Sequence, residues 1–275
     1  SQPGIRGHCH RHPRAMDLKR IDSRDNPLVR RLRRLVASAR DCRKEGSTVL
    51  EGLHLVAAYE AAQGPVEALV VCESRAGTGE IAAYLAGRSA VCLPDGLFRS
   101  LGTLDNPSGV LALAPIPESP TALPTAVDCV LLDGVQDPGN VGTLIRTAAA
   151  AGVGHVLLSP DCAGAWLPKV LRAGQGAHFA VALYEAIDLE SFLATYRESV
   201  AATCLAGSAP PWEARLETPV AWIFGAEGRG VRTSLLERAG IRVRIPMAGG
   251  VESLNVAAAA AICLFEMRRQ RSRSS

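Results

Sequence analysis

Six short apolar runs constrain the fold of this chain more than any other feature: "DCVLLDGV", "HVLLSP", "FAVALYE", "SVAATCLAG", "VAWIFG" and "IRVRIP", all between residues 128 and 246. All but the last, in which Arg242 and Arg244 alternate with apolar residues, are apolar at successive positions rather than at every second one. A strand of that kind buries both faces, which is the property of a parallel sheet covered by helices on either side. Helical stretches lie between the runs, as a parallel sheet requires. Ligands of such sheets bind outside the carboxyl ends of the strands, so function is sought in the loops that follow them.

Upstream, residues 17–114 alternate helical stretches with apolar runs in "STVLEGLHLVAAYEAA", "VEALVVCES", "SAVCLP" and "GVLALAP", which predicts a smaller α/β domain. The segment "APIPESPTALPTAVD" is crowded with Pro and small polar residues and reads as the boundary. The expected organisation is a disordered leader at 1–15, an N-terminal domain at 16–117, a linker at 118–125 and a C-terminal α/β domain at 126–275. "HCHRH", residues 8–12, falls in that leader and is read as disordered rather than as a metal site. No internal repeat is visible.

With 48% of its 275 residues hydrophobic, the chain has ample material for a core, yet no apolar stretch is long enough to span a bilayer. The N-terminus lacks an apolar signal segment. A soluble, cytoplasmic protein is expected. Eight cysteines are scattered singly with no CxxC pair, which favours reduced thiols and no metal site. The net charge of +3 conceals an asymmetry: residues 1–44 hold 13 Lys/Arg against 4 Asp/Glu, and the remainder 17 against 23. Within that first block "NPLVRRLRRLVASARDCRKEG" reads as one helix with Leu28, Leu32, Leu35 and Val36 inward and Arg30, Arg31, Arg33, Arg34 and Arg40 outward. Such a run is either a solvated face or a surface for an anionic partner such as nucleic acid.

Three strand-to-helix loops carry the polar residues. In "LLDGVQDPGNVGTLIRTAAAAG" a strand ends at Asp133, and Asn140 sits where a helix N-cap belongs. Arg146 projects from a different face of the helix that follows. In "VAWIFGAEGRGV" Gly225 follows the strand and leaves room for a ligand to approach the backbone, with Glu227 in the loop beyond. In "IRVRIPMAGGVESLNV" a strand ends at Ile245-Pro246, and a Gly-Gly loop leads through Ser253 and Asn255 into an alanine-rich helix. By themselves these residues outline an α/β ligand pocket made mainly of backbone, with RNA or DNA as a plausible partner.

"DPGNVGTLIRTAAAAG", "FGAEGRGV" and "IPMAGGVESLNVAAAAAICLFE", in that order and at these separations, resemble the three motifs of the SpoU (TrmH-type) RNA 2′-O-ribose methyltransferases of the SPOUT superfamily. "RIDSRDNPLVRRLRRL" and "STVLEGLHLV" resemble the substrate-binding domain that many members carry. The resemblance implies a C-terminal domain with a deep trefoil knot, S-adenosyl-L-methionine (AdoMet) as cofactor, and a homodimer through that domain. Carried over by motif, Thr203, Gly225, Ile245, Ser253 and Leu254 would contact the cofactor. Asn140, Arg146, Glu227 and Asn255 would form the catalytic centre, with Arg146 holding a phosphate and polarising the ribose hydroxyl rather than acting as a free base. Gly174 stands where many members have Ser. The extra N-terminal domain leans the substrate towards ribosomal rather than transfer RNA. The alternatives are a tRNA methyltransferase and an RNA-binding protein of this fold without methyl transfer.

Overall fold

The computed structural model describes residues 16–102, 108–205, 209–250 and 253–273. The leader and its His/Cys cluster lie outside these. The first sheet is built from β1 (Asp17–Arg20), β2 (Ser47–Glu51), β3 (Ala68–Cys72), β4 (Ser89–Leu93) and β5 (Val110–Pro115), in the order β1-β4-β3-β5-β2. Its helices are α1 (Pro27–Ala37), α2 (Ala39–Glu45), α3 (Leu53–Gln63), α4 (Gly79–Leu85) and α5 (Asp95–Arg99). β5 runs antiparallel to both β3 and β2.

The basic segment forms two helices where the sequence predicts one. Asn26 caps α1, its side chain accepting from the Leu28 N–H at 3.0 Å, and Pro27 takes the first helical position. Ser38 ends that helix in an extended conformation, and its hydroxyl caps α2 by accepting from Asp41 N–H at 3.1 Å. Val29, Leu32 and Leu35 are fully buried, whereas Leu28 and Val36, expected inward, are only half-buried. Arg31, expected outward, is ion-paired with Glu45 and Glu67, and Arg34 shares Glu45.

The second sheet comprises β6 (Cys129–Asp133), β7 (His155–Leu158), β8 (Ala182–Tyr184), β9 (Ser199–Thr203), β10 (Val220–Gly225) and β11 (Ile241–Val243). Every pairing is parallel, in the order β11-β9-β10-β6-β7-β8. This is the doubly covered sheet that the unbroken apolar runs predict. Cys129 and Leu131 of β6 belong to one buried cluster with Phe192, Tyr196 and Leu235, while Val130 and Leu132 belong to another with Leu144, Trp222 and Leu264. The helices are α6 (Pro138–Ala151), α7 (Pro168–Gly174), α8 (Leu189–Thr195), α9 (Thr233–Leu236) and α10 (Val256–Arg273).

The two sheets share one of these apolar clusters, which runs from Leu50, Val56 and Ala112 through to Trp166 and Val170. At the seam the Thr48 hydroxyl donates to the Trp166 carbonyl at 2.6 Å, and Tyr59 packs edge-on against Phe179 with ring centroids 5.4 Å apart. No described helix is long and apolar enough to cross a membrane. The seven described cysteines are all free thiols.

Candidate active site at the strand ends

The parallel register places Asp133 beside Gly225, so the loops after β6 and β10 open at the same end of the sheet. The cap of α6 is Asp137, not Asn140: the Asp137 carboxylate accepts from Asn140 N–H at 2.7 Å, and Pro138 and Gly139 form the first helical positions. Asn140 is therefore already inside the helix, and its side chain is free to leave the backbone. It reaches Glu227, donating Nδ2–H to Oε1.

Asn255 completes the group. Its Oδ1 accepts from Ala257 N–H at 2.9 Å and Ala258 N–H at 3.3 Å, which makes it the cap of α10. An amide nitrogen cannot accept those bonds, so the orientation of the Asn255 side chain is fixed by the helix. Its Nδ2 must then face outward, and it donates to Asn140 Oδ1 at 2.9 Å and to Glu227 Oε1 at 3.3 Å. Because Asn140 Oδ1 is an acceptor, its own Nδ2 is the atom that meets Glu227. Two carboxamide donors thus converge on one carboxylate oxygen, and Glu227 Oε2 has no partner among the described residues. The backbone of one helix terminus orients all three side chains.

Arg146 lies on the exposed side of α6. Among the described residues it has neither a hydrogen-bond nor an ion-pair partner. Thr203 ends β9 half-buried beside Val243, and Ile245 is half-buried against the core beyond β11, which stops at Val243, two residues before the predicted end. Ser253 and Leu254 are exposed, Leu254 at 40%, immediately before the Asn255 cap.

The packing of the loop that follows requires glycine at position 225. A Cβ there would lie 2.1 Å from Gly230 C and 2.2 Å from Val231 N, so the space a side chain would take is filled by the loop's own backbone. Residues 226–230 fold back on the strand, closed by Gly230 N–H donating to Ala226 C=O at 2.7 Å. Gly174 has a similar explanation. A Cβ at that position would sit 2.4 Å from the His178 ring, which is buried and pushed down to about 4 by desolvation, so the neutral imidazole donates from Nε2 to the Ala165 carbonyl at 2.8 Å. The small residue admits the ring. Two open clefts of about 520 and 650 Å³ lie along the seam between the sheets, around Trp166, and not at these loops. Among the described residues no group of His, Cys, Asp and Glu is arranged to hold a metal ion.

Residues 129–265 match the SpoU rRNA methylase family. Across 254 residues, 91% of this chain and 100% of the relative, the sequence is 33% identical to the 23S rRNA (guanosine(2553)-2′-O)-methyltransferase RlmP of Bacillus subtilis. The chain belongs to the SpoU rRNA methylase family. Its α/β architecture agrees with that of solved members. An RNA 2′-O ribose methyltransferase superposes with a TM-score of 0.81 at 30% identity, over 92% of this chain and 100% of that one. The AdoMet-bound rRNA methyltransferase of Sinorhizobium meliloti superposes with a TM-score of 0.78 at 30% identity, over 92% and 98%. The cluster of Asn140, Glu227 and Asn255 in this SpoU protein draws one residue from each of the three motifs.

Proposed function

We propose that this SpoU protein is an AdoMet-dependent methyltransferase that modifies a ribose 2′-hydroxyl of ribosomal RNA. The observation that carries this reading is the convergence of Asn140 and Asn255 on Glu227 at the carboxyl ends of β6 and β10. AdoMet, when bound, supplies an electrophilic methyl on a sulfonium sulfur. Thr203, Gly225, Ile245, Ser253 and Leu254 would hold it, largely through backbone groups. The exposed apolar surface of Leu254 suits a flat adenine, which needs no charged partner.

The chain's own contribution is placement and polarisation. Glu227 Oε2 is available to accept a hydrogen bond from the ribose, and Arg146 is available to hold a phosphate oxygen and draw charge from the attacking oxygen. As the oxygen–methyl bond forms and the methyl–sulfur bond breaks, the hydroxyl proton leaves late to solvent. Transfer of labelled methyl to rRNA lacking the modification, with label in one alkali-resistant dinucleotide, tests the reading. Label that entered a base, or no rRNA at all, would overturn it.

Residues 16–117 act as the RNA-docking domain, joined by the 118–125 linker to the 126–275 catalytic domain. Arg30, Arg33, Arg40 and Lys44 are exposed and have no ion-pair partner among the described residues, which leaves four cations for phosphates. We expect log K for RNA to fall with log salt at a slope of about −3, and each Arg→Gln replacement to reduce the slope by about 1. A flat titration would remove this surface from the docking account.

The trefoil knot is supported by the path of the chain: it leaves edge strand β11, yet Asn255 returns to Asn140 and Glu227 at the ends of β6 and β10. A homodimer is supported by a second apolar face on α10. Ile262 at 38% and Phe265 at 46% exposure lie on it with Ala258. Phe265→Glu is expected to convert the dimer to a monomer in sedimentation velocity at micromolar concentration, and an unchanged sedimentation coefficient would place the interface elsewhere.

A further inference from the structure

We propose that Asp133 is a positioning residue for methyl transfer, clamping the loop that carries Glu227 through Arg232 and Arg229. The proposal rests on the placement of Glu227 in the active site. Asp133 ends β6 and is 0% exposed. Its Oδ2 accepts from the Arg232 backbone N–H at 2.8 Å, and its Oδ1 lies 2.7 Å from Arg232 Nε. The second approach is a charge contact rather than an aligned hydrogen bond, since neither atom there meets hydrogen-bond geometry. Arg229, two residues after Glu227, places Nη2 at 3.9 Å from Asp133 Oδ1 and 3.4 Å from Asp161 Oδ2. Gly134 makes this possible: its φ is +65°, and a Cβ would lie 2.6 Å from Arg229 Nη2 and 2.9 Å from Asp161 Oδ2.

The far side is fixed as well. Ser159 after β7 accepts from Gly134 N–H at 2.9 Å and donates from the same hydroxyl to Asp161. The loops after β6, β7 and β10 are thus joined by one ionic network whose centre is a carboxylate without solvent contact. Burying a charge is expensive, and apolar packing would hold three loops together at lower cost. What a charge network adds is a fixed distance, and Glu227 lies between its strand and the two arginines that network grips.

Steady-state kinetics on an rRNA fragment of Asp133→Asn, Glu227→Gln and the double variant test the clamp. We expect Asp133→Asn to lower kcat about 10–100-fold, with KM for RNA and Kd for AdoMet changed less than about 3-fold. In the Glu227→Gln background the same substitution should cost less than about 3-fold, because a positioning effect has no object once its target is lost. Should Asp133→Asn fail to fold, half-exposed Arg229 supplies the same cycle: Arg229→Gln lowers kcat only when Glu227 is present, and Arg229→Lys restores part of it. Losses that multiply independently, or a lowered Tm with unchanged kcat, would overturn the clamp alone. A fully active Glu227→Gln would overturn the reading of Glu227 itself, and the clamp with it.

Discussion

Replacing Arg146 by Ala lowers kcat for methyl transfer by roughly 10²–10⁴-fold and leaves AdoMet affinity within about 3-fold of wild type. The residue sits on the exposed side of α6, whose other side buries Val141, Leu144, Ile145 and Ala148. A structural arginine at such a place would reach an acceptor, as Arg31 reaches Glu45 and Glu67. Among the described residues Arg146 reaches none, so its fork of donors is available for an anion arriving from outside. Folding should be nearly indifferent to the change, because surface substitutions without partners stay within about 0.5 kcal/mol.

The Lys variant separates two roles. A guanidinium that binds phosphate and polarises the hydroxyl loses its bidentate geometry in Arg146→Lys, so kcat falls while the pH–rate profile keeps its position. A profile that moved by the difference in basicity between the two side chains would make residue 146 the proton acceptor. An Arg146→Ala enzyme with wild-type kcat would remove it from the site altogether.

The parallel sheet was legible in the sequence because its signal is local: Cys129 to Leu132 alternate between two buried clusters, and only unbroken apolarity satisfies both. Strand β1 was not. "DLKR" is polar and pairs with β4 alone, so nothing in its composition distinguishes it from a loop. The basic segment reads as one helix because Ser38 looks like one more small residue, although its extended backbone ends α1 and its hydroxyl caps α2. Asp137 and Asn140 compete for the cap of α6. Pro138 decides between them, since proline is favoured at the first helical position and places the cap one residue earlier.

The three polar residues of the cluster stand out in the strand-to-helix loops and owe their catalytic role to motif likeness, and their mutual contact is a property of the fold alone. The ionic network beneath them left no trace in the sequence, because Asp133 and Arg232 are 99 positions apart and each is unremarkable among its neighbours.

Gly225→Ala is expected to cost activity and stability together, and for one reason. Gly225 has ordinary strand geometry, so the loss comes from space and not from backbone strain. The three atoms nearest its missing Cβ, at 2.1, 2.2 and 2.3 Å, all belong to the backbone of Gly230 and Val231. A flexible side chain swings aside from a new methyl, but a loop closed by its own Gly230 to Ala226 hydrogen bond must move as a unit. Overpacking of this kind costs about 1–3 kcal/mol, which for a domain of this size lowers Tm by roughly 2–12 °C. Glu227 rides on the displaced segment, and a shift of about 1 Å suffices to lower kcat by about 10²-fold. The control is Gly154→Ala, where nothing lies within 4 Å of the new methyl and no unusual φ is needed, so both Tm and kcat should stay near wild type. If Gly225→Ala retained full kcat with a lowered Tm, the loop would tolerate displacement, and the position of Glu227 could not be what limits the rate.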